Sequence, residues 1–209
     1  LRFRRQRQMC IRDRNKFLSL ALNNHESPYV AVIGGAKVSS KLELIKHINS
    51  EADHIIVGGG IANTFLKAKG FDVGKSLFED SMIDIAYDLI EKGKIILPKK
   101  VVTSTTFEGK NLKETLVGEV SHSEMILDIH LEEETVALLE DAKTILWNGP
   151  MGVFENIIFE KGTKDLSIAV ARSKAFSLAG GGETLSAINK YIKSNDVSYL
   201  SLIHISEPT

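Results

Sequence analysis

Four glycine-rich clusters stand out in the sequence, each directly after a short apolar run. They are Gly34-Gly35, Gly58-Gly59-Gly60, Asn148-Gly149-Pro150-Met151-Gly152 and Gly180-Gly181-Gly182. Glycine allows positive φ and lets backbone N–H groups approach an anion closely. One such cluster is typical of an ordinary turn. Four of them at one edge of a sheet would indicate a ligand that carries phosphate groups.

Lys37 and Lys41 follow the first cluster at the start of a predicted helix over residues 37–48. Residues four apart share one face of a helix. Cations at a helix N-terminus oppose the macrodipole, at a cost of about 0.3–1 kcal/mol each. A bound polyphosphate would turn this repulsion into an attraction. The alternative is a pair of solvated surface lysines.

Two carboxylates and a hydroxyl lie beside the later clusters. Glu183 and Thr184 fall in the first turn of a predicted helix, where they would either cap the helix or bind metal and phosphate. Glu155 ends the turn that begins at Asn148, and it would be either an exposed loop carboxylate or an acceptor for a ribose hydroxyl.

Other motifs are incomplete. Gly74-Lys75-Ser76 resembles the end of a P-loop, but Lys69 stands where that motif needs its first glycine. Gly58 begins a pattern like a dinucleotide-binding fingerprint, yet Asn63 replaces the third glycine. The six histidines have no metal-ligand spacing.

Short apolar runs alternate with segments of helical period, which predicts an α/β fold. We expect a single doubly wound, Rossmann-like domain, with a parallel sheet and helices on both faces. Ligands of such a sheet bind outside the carboxyl ends of its strands. The predicted strands are 29–33, 54–57, 94–97, 101–103, 144–147 and 175–179, and edge strands are expected within 111–127. The predicted helices are 37–48, 61–69, 80–92, 132–141, 163–173 and 183–193.

The composition, 43% hydrophobic and 25% charged with one cysteine, is that of an ordinary globular protein. It excludes disordered, collagen-like and disulfide-scaffold classes. No apolar run approaches the ~18 residues of a membrane span. We therefore expect no membrane partner. No secretory apolar region follows the basic N-terminus and there is no cysteine pair, so we expect a cytoplasmic protein. Six of the seven arginines lie within residues 1–14. This segment is either an arm that binds nucleic acid or a non-native end, and the mildly acidic remainder favours the second interpretation.

Four long motifs, in order, resemble the phosphoglycerate kinase family of bacterial type. They are Gly34-Gly-Ala-Lys-Val-Ser-Ser-Lys41, Val57-Gly-Gly-Gly-Ile-Ala-Asn-Thr-Phe65, Trp147-Asn-Gly-Pro-Met-Gly-Val-Phe-Glu155 and Gly180-Gly-Gly-Glu-Thr184. The likeness covers the C-terminal, nucleotide-binding half of that family. It implies reversible phosphoryl transfer between 1,3-bisphosphoglycerate and ADP, which gives 3-phosphoglycerate and ATP, with Mg²⁺ as cofactor. Small molecules are then the expected partners, and the expected state is a monomer.

The resemblance also implies roles for individual residues. Lys37 would steady the transferring phosphoryl group, and Glu183 would be the Mg²⁺-associated carboxylate. The adenine pocket would include Gly58, Gly59, Gly60, Leu77 and Leu127, while Pro150 and Glu155 would hold the ribose side. Phosphate contacts would come from Lys41, Gly181, Gly182 and Thr184. The remaining expected nucleotide contacts are Gly35, Ala36, Asn148, Gly152 and Val153.

The sequence also departs from the family pattern. Glu183 replaces the commoner aspartate, and the phosphoglycerate-binding domain is absent from the chain. We expect a nucleotide-binding domain over residues 15–201. The terminal segments 1–14 and 202–209 do not match the family and are expected to be non-native sequence. The chain alone is then expected to bind MgADP or MgATP without turnover. A dinucleotide-binding dehydrogenase domain is the alternative.

Overall fold

The computed structural model describes residues 25–201, which fold around a six-stranded parallel sheet and a smaller antiparallel one. The strands are β1 (Tyr29–Ile33), β2 (His54–Val57), β3 (Ile95–Ile96), β4 (Lys100–Ser104), β5 (Lys113–Leu116), β6 (Met125–Ile129), β7 (Thr144–Asn148), β8 (Phe176–Gly180) and β9 (Tyr199–Ser201). The helices are α1 (Leu42–Glu51), α2 (Gly59–Ala68), α3 (Ile83–Glu91), α4 (Glu133–Asp141), α5 (Lys161–Arg172) and α6 (Gly182–Tyr191).

The large sheet has the strand order β3-β2-β1-β7-β8-β9, and all its pairings are parallel. The chain winds outward from β1 to β3 on one side and from β7 to β9 on the other. Right-handed crossovers in opposite directions place their helices on opposite faces of the sheet. This is the predicted doubly wound α/β fold. Its switch point lies between β1 and β7, where such folds bind their ligands.

The core lies between the large sheet and its helices. All five residues of β1 and all five of β7 are buried, as expected for central strands covered on both faces. Trp147 is fully buried in β7, and its indole N–H donates to the carbonyl oxygen of Gly149 at 2.9 Å. Its ring therefore belongs to the core, and its polar atom steadies the loop that follows.

The second sheet, in the order β5-β4-β6, is antiparallel and was not predicted as a separate layer. The segment at 101–103, predicted as a further strand of one doubly wound sheet, belongs to β4 in this smaller sheet. Strand β6 contacts both α2 and α5, so the small sheet packs beside the carboxyl edge of the large one. Within 111–127, the expected edge strands are β5 and the start of β6.

The predicted helix over 37–48 begins later than expected. A 3-10 turn, Ser39–Lys41, precedes α1, which starts at Leu42. The hydroxyl of Ser40 donates to the carbonyl oxygen of Lys37 at 2.7 Å, and this local bond closes a turn instead of a helix. Lys37 therefore lies outside the helix, and the prediction that Lys37 and Lys41 share one helical face is wrong.

The terminal segments 1–14 and 202–209, expected to be foreign to the domain, lie outside the described residues. Within 25–201, no helix combines the length and apolar character needed to cross a membrane.

We predict that Ile145→Ala lowers the free energy of unfolding by about 2–5 kcal/mol, because Ile145 is fully buried in the central strand β7. Urea unfolding followed by circular dichroism measures this change. Ile157, 77% exposed, provides the control, since Ile157→Ala should change the free energy by less than about 0.5 kcal/mol. Equal losses in the two variants would contradict the proposed location of the core.

Candidate functional site

The loops after β1, β2 and β7 are joined by backbone hydrogen bonds at the carboxyl edge of the large sheet. Gly34 N–H donates to the carbonyl oxygen of Asn148 at 2.9 Å, and Gly59 N–H donates to that of Met151 at 2.7 Å. The loop after β8 joins them through Thr184, whose hydroxyl oxygen accepts from Gly149 N–H at 2.7 Å. The structure thus brings all four predicted glycine clusters to one place.

Two glycines make this close approach possible. A Cβ atom at Gly34 would overlap the carbonyl oxygen of Pro150. Gly149 has a φ of +109°, and a Cβ there would overlap the carbonyl oxygen of Gly34. Any side chain at either position would push the loops after β1 and β7 apart, so glycine is required for steric reasons.

The larger of two adjoining cavities, about 570 Å³, lies between the start of α2, the loop after β7 and the small sheet. Several members of its lining are apolar. Leu77 is 55% exposed, whereas Leu127 is buried. Predicted residues in the lining are Gly35, Ala36, Gly59, Gly60, Leu77, Leu127, Pro150, Gly152, Val153, Glu155 and Glu183. An aromatic ring system with polar groups at its edge would suit this cavity.

The smaller cavity, about 390 Å³, is bordered by charged and hydrogen-bonding groups. It shares Gly35, Ala36 and Glu183 with the larger cavity. Its other predicted residues are Lys37, Lys41, Asn148, Gly181, Gly182 and Thr184. Helix α6 begins at Gly182, so its N-terminal N–H groups and the positive end of its dipole lie at this cavity.

Gly58 is the predicted site residue that neither cavity includes in its lining. Its N–H donates to the carbonyl oxygen of Ile33 at 3.0 Å. A Cβ at Gly58 would lie 2.5 Å from Cε of Met151. The backbone of Gly58 packs against the neighbouring loops. Gly58 therefore supports the start of α2 without bordering either cavity.

Lys41 is the half-buried cation of the site. Its Nζ donates to the carbonyl oxygens of Gly34 at 2.6 Å and Asn148 at 3.1 Å, at the ends of β1 and β7. Burial lowers the pKa of Lys41 to about 8, although the nearby Glu183 carboxylate acts in the opposite direction. Lys37 is exposed and forms no ion pair within residues 25–201. Lys37 is therefore the cation more readily available to a ligand.

Glu183 and Thr184, both in the first turn of α6, differ in exposure and in hydrogen bonding. Thr184 is buried, and its oxygen already accepts a hydrogen bond, so its O–H remains free to donate. Glu183 is exposed at the junction of the two cavities. Among residues 25–201 there is no cluster of three or more histidine, cysteine or acidic side chains that could hold a metal ion. A metal at Glu183 would need phosphate oxygens and water as further ligands, which is the usual coordination of Mg²⁺.

The lining of the larger cavity also includes residues that were not predicted, among them Phe107, Asn63 and Asp128. Phe107 comes from the turn after β4, which Asn156 holds by a 2.7 Å bond from its amide nitrogen to the carbonyl oxygen of Phe107. Asn63 lies in α2, and its amide nitrogen donates to the carbonyl oxygen of Leu77 at 3.1 Å. Asp128 in β6 is buried, and burial raises its pKa to about 7. Phe107 and Asp128 lie outside the glycine-rich motifs. Asn63 lies within the Val57–Phe65 motif, where it was noted only because it replaces the third glycine of a dinucleotide-binding fingerprint.

Residues 9–203 match the phosphoglycerate kinase family. Phosphoglycerate kinase of Baumannia cicadellinicola is 47% identical over 187 residues, which cover 88% of this chain and 48% of that protein. The enzyme of Francisella tularensis is 44% identical over 192 residues, with 88% and 49% coverage. The chain thus spans about half the length of the curated relatives it matches.

Solved structures give the same result. Phosphoglycerate kinase from Coxiella burnetii superposes with a TM-score of 0.86 at 40% identity, over 91% of this chain and 51% of that one. The enzyme from Pyrococcus horikoshii OT3 gives a TM-score of 0.76 at 30% identity, with 91% and 50% coverage. These matches favour the family suggested by the four motifs over a dinucleotide-binding dehydrogenase.

The lowered pKa of Lys41 predicts a rise in stability at alkaline pH. Lysine in the unfolded chain, with its ordinary pKa of 10.5, binds more protons between pH 8 and 10.5 than Lys41 in the folded chain. The free energy of unfolding should therefore increase across this interval by about 1–3 kcal/mol from this group. Urea unfolding of the parent and of Lys41→Met at several pH values isolates the effect. The difference between the two proteins should change with pH, and a constant difference would contradict the burial of this ammonium group.

Proposed function

The chain belongs to the phosphoglycerate kinase family, and from this premise we propose that it forms the nucleotide-binding half of a phosphoglycerate kinase. The whole enzyme would transfer a phosphoryl group reversibly between 1,3-bisphosphoglycerate and ADP, giving 3-phosphoglycerate and ATP. The observation that carries this proposal is the adjoining pair of cavities, one with an apolar wall and one polar, at the switch point of the sheet. A nucleotide has the same division, with a flat base at one end and phosphates at the other.

The base and ribose would occupy the larger cavity. Adenine would pack between the backbone of Gly59 and Gly60 and the side chains of Leu77 and Leu127. Pro150 and Glu155 would border the ribose, with Gly152 and Val153 beside them. Apolar contact supplies the affinity in such a cavity, and the few polar groups at its edge fix the orientation of the ligand.

The phosphates would lie in the smaller cavity, against the N-terminus of α6. Backbone N–H groups at Gly181 and Gly182 and the free O–H of Thr184 are suitable donors to phosphate oxygens. The Lys41 ammonium lies among carbonyl oxygens, and a bound phosphate would favour its charged form. Together these groups create a positive electrostatic potential where the phosphates would bind. The groups need not rearrange when the anion arrives.

Lys37 would act on the transferring phosphoryl group. Phosphoryl transfer needs little covalent participation by the protein and depends on positioning and on neutralising charge. Lys37 is an exposed cation with no described ion-pair partner, and it belongs to the lining of the smaller cavity. In this proposal its ammonium group stabilises negative charge on the phosphoryl oxygens as they move between the two substrates.

Glu183 would hold Mg²⁺ together with phosphate oxygens and water. A bare carboxylate beside phosphates would repel them unless a cation lay between, and Glu183 lies where the two cavities meet. The hard oxygen donors of this position fit Mg²⁺. When bound, Mg²⁺ would neutralise part of the phosphate charge. The small-molecule partners, the cytoplasmic location and the monomeric state expected from the sequence remain predictions.

We predict that the chain alone binds MgADP and MgATP but does not turn over phosphoglycerate. Catalysis requires both reactants in near-attack geometry, which contributes ~7–11 kcal/mol, and the chain spans half the length of its relatives. Isothermal titration calorimetry measures the binding, with NAD as the control ligand. A coupled assay measures ATP consumption with 3-phosphoglycerate. Failure to bind MgADP, preference for NAD, or phosphoglycerate-dependent turnover would each contradict the proposal.

We also predict that Glu183→Gln weakens MgADP binding far more than binding of ADP in the presence of EDTA. Glutamine keeps the size of the side chain but loses the charge that attracts the metal. Glu183→Asp should retain most of the metal dependence, because aspartate keeps the charge and differs by one methylene. The control is Glu140→Gln, which removes one negative charge from an exposed position of α4. If Glu183→Gln weakens both forms equally, Glu183 is not a metal ligand.

A further inference from the structure

Glu79 joins two segments that border different cavities. Its carboxylate accepts two hydrogen bonds from Ser39, one from the backbone N–H at 2.8 Å and one from the hydroxyl at 2.5 Å. The two residues are forty positions apart in the chain. Glu79 itself borders neither cavity, so it can affect a ligand only through the segments that it connects.

The first of these segments carries Lys37. The 3-10 turn Ser39–Lys41 has no side-chain cap of its own, so the N–H of Ser39 at its start needs an external acceptor. The Glu79 carboxylate supplies that acceptor from another part of the chain. Lys37 and Ser40, on either side of Ser39, border the smaller cavity. The hydrogen bonds from Ser39 therefore fix the stretch of backbone that presents Lys37.

The second segment forms a wall of the larger cavity. Leu77 and Phe78, just before Glu79, both belong to the lining of that cavity. Glu79 N–H donates to the hydroxyl oxygen of Thr64 at 3.1 Å, and that hydroxyl donates to the carbonyl oxygen of Gly60 at 3.0 Å. Thr64 is fully buried in α2, so this end of the connection is anchored to the core.

The negative charge of the Glu79 carboxylate strengthens its hydrogen bonds with Ser39. Partial burial acts to raise the pKa of Glu79, but hydrogen bonds from Ser39 and Val38 and the nearby Lys37 charge outweigh it and hold the pKa below its ordinary value. The carboxylate is thus ionised at neutral pH, and hydrogen bonds to an ionised acceptor are roughly twice as strong as neutral ones. Lys37 forms no ion pair with Glu79, so its ammonium group remains available for phosphate.

We propose that Glu79 is a positioning residue that holds the Lys37 turn at a fixed place relative to the wall of the larger cavity. A nucleotide seated by its base would then meet Lys37 with its terminal phosphate. This inference rests on the proposed nucleotide-binding function. It adds that one carboxylate, which borders neither cavity, connects the turn that carries Lys37 to the wall of the larger cavity.

The test compares MgATP with adenosine, which fills only the larger cavity. Both dissociation constants are measured by calorimetry, with adenosine in competition with MgATP where its binding is weak. We expect Glu79→Ala to raise the dissociation constant of MgATP about 10-fold, the loss of about 1.4 kcal/mol, and that of adenosine less than about 2-fold. Glu79→Gln, which can still accept from Ser39 N–H, should recover part of the loss. Ser39→Ala, which removes one of the two bonds, provides a milder variant should Glu79→Ala fold poorly.

Two controls separate positioning from other effects. Asp80→Asn removes the same charge at the next position, and it should leave both constants unchanged, since the Asp80 side chain borders neither cavity. In a Lys37→Ala background, Glu79→Ala should cost MgATP affinity little more, because the group that it positions is gone.

Additive losses in that double variant, equal losses for adenosine and MgATP, or a loss with Asp80→Asn as large as with Glu79→Ala would overturn the inference. Unchanged MgATP binding in Glu79→Ala would do the same. These outcomes presuppose a parent chain that binds MgATP. A parent that binds neither ligand would contradict the proposed function itself, and the inference would fall with it.

Discussion

The close contact of backbone against backbone at the switch point is the constraint on which the site depends. The loops after β1 and β7 approach so closely that a Cβ at Gly34 or Gly149 would overlap a carbonyl oxygen of the other loop. Such contact allows backbone hydrogen bonds between the loops, as from Gly34 N–H to the carbonyl oxygen of Asn148. Rigid loops then hold their polar groups in place before a ligand arrives, which reduces the cost of binding.

The same contact explains why charge and apolar surface are separated in the site. The carbonyl oxygens of Gly34 and Asn148 collect at the ends of β1 and β7 and hold the ammonium group of Lys41. The N-terminus of α6 lies next to them and adds a second positive feature. Apolar side chains of the small sheet, Leu127 among them, reach only the larger cavity. A ligand with an aromatic end and an anionic end would therefore fit in one orientation.

Sequence patterns predicted five of the six strands of the large sheet, four of them as short apolar runs followed directly by glycine. The patterns missed strand β9, Tyr199–Ser201, at the edge of this sheet. They failed where structure depends on distant contacts. The small antiparallel sheet contains mixed, partly exposed segments, and β5 has no buried residue by which to recognise it. Phe107 and Asp128 border the larger cavity because the small sheet and α2 meet there, and nothing in their local sequence indicates this. Asn63 lies in the motif that follows β2, but the motif does not show that its amide donates a hydrogen bond to Leu77. The predicted start of α1 was too early, because a side-chain hydrogen bond from Ser40 to the carbonyl oxygen of Lys37 favours a turn before the helix.

A crystal structure of the chain with MgADP is the most direct measurement of how the two cavities are used. We expect the adenine ring in the larger cavity against Leu127, the phosphates at Gly182 and Thr184, and the metal ion beside Glu183. Three results would contradict the division of the site into a base half and a phosphate half. They are adenine in the smaller cavity, phosphates away from the N-terminus of α6, and a nucleotide bound elsewhere on the protein.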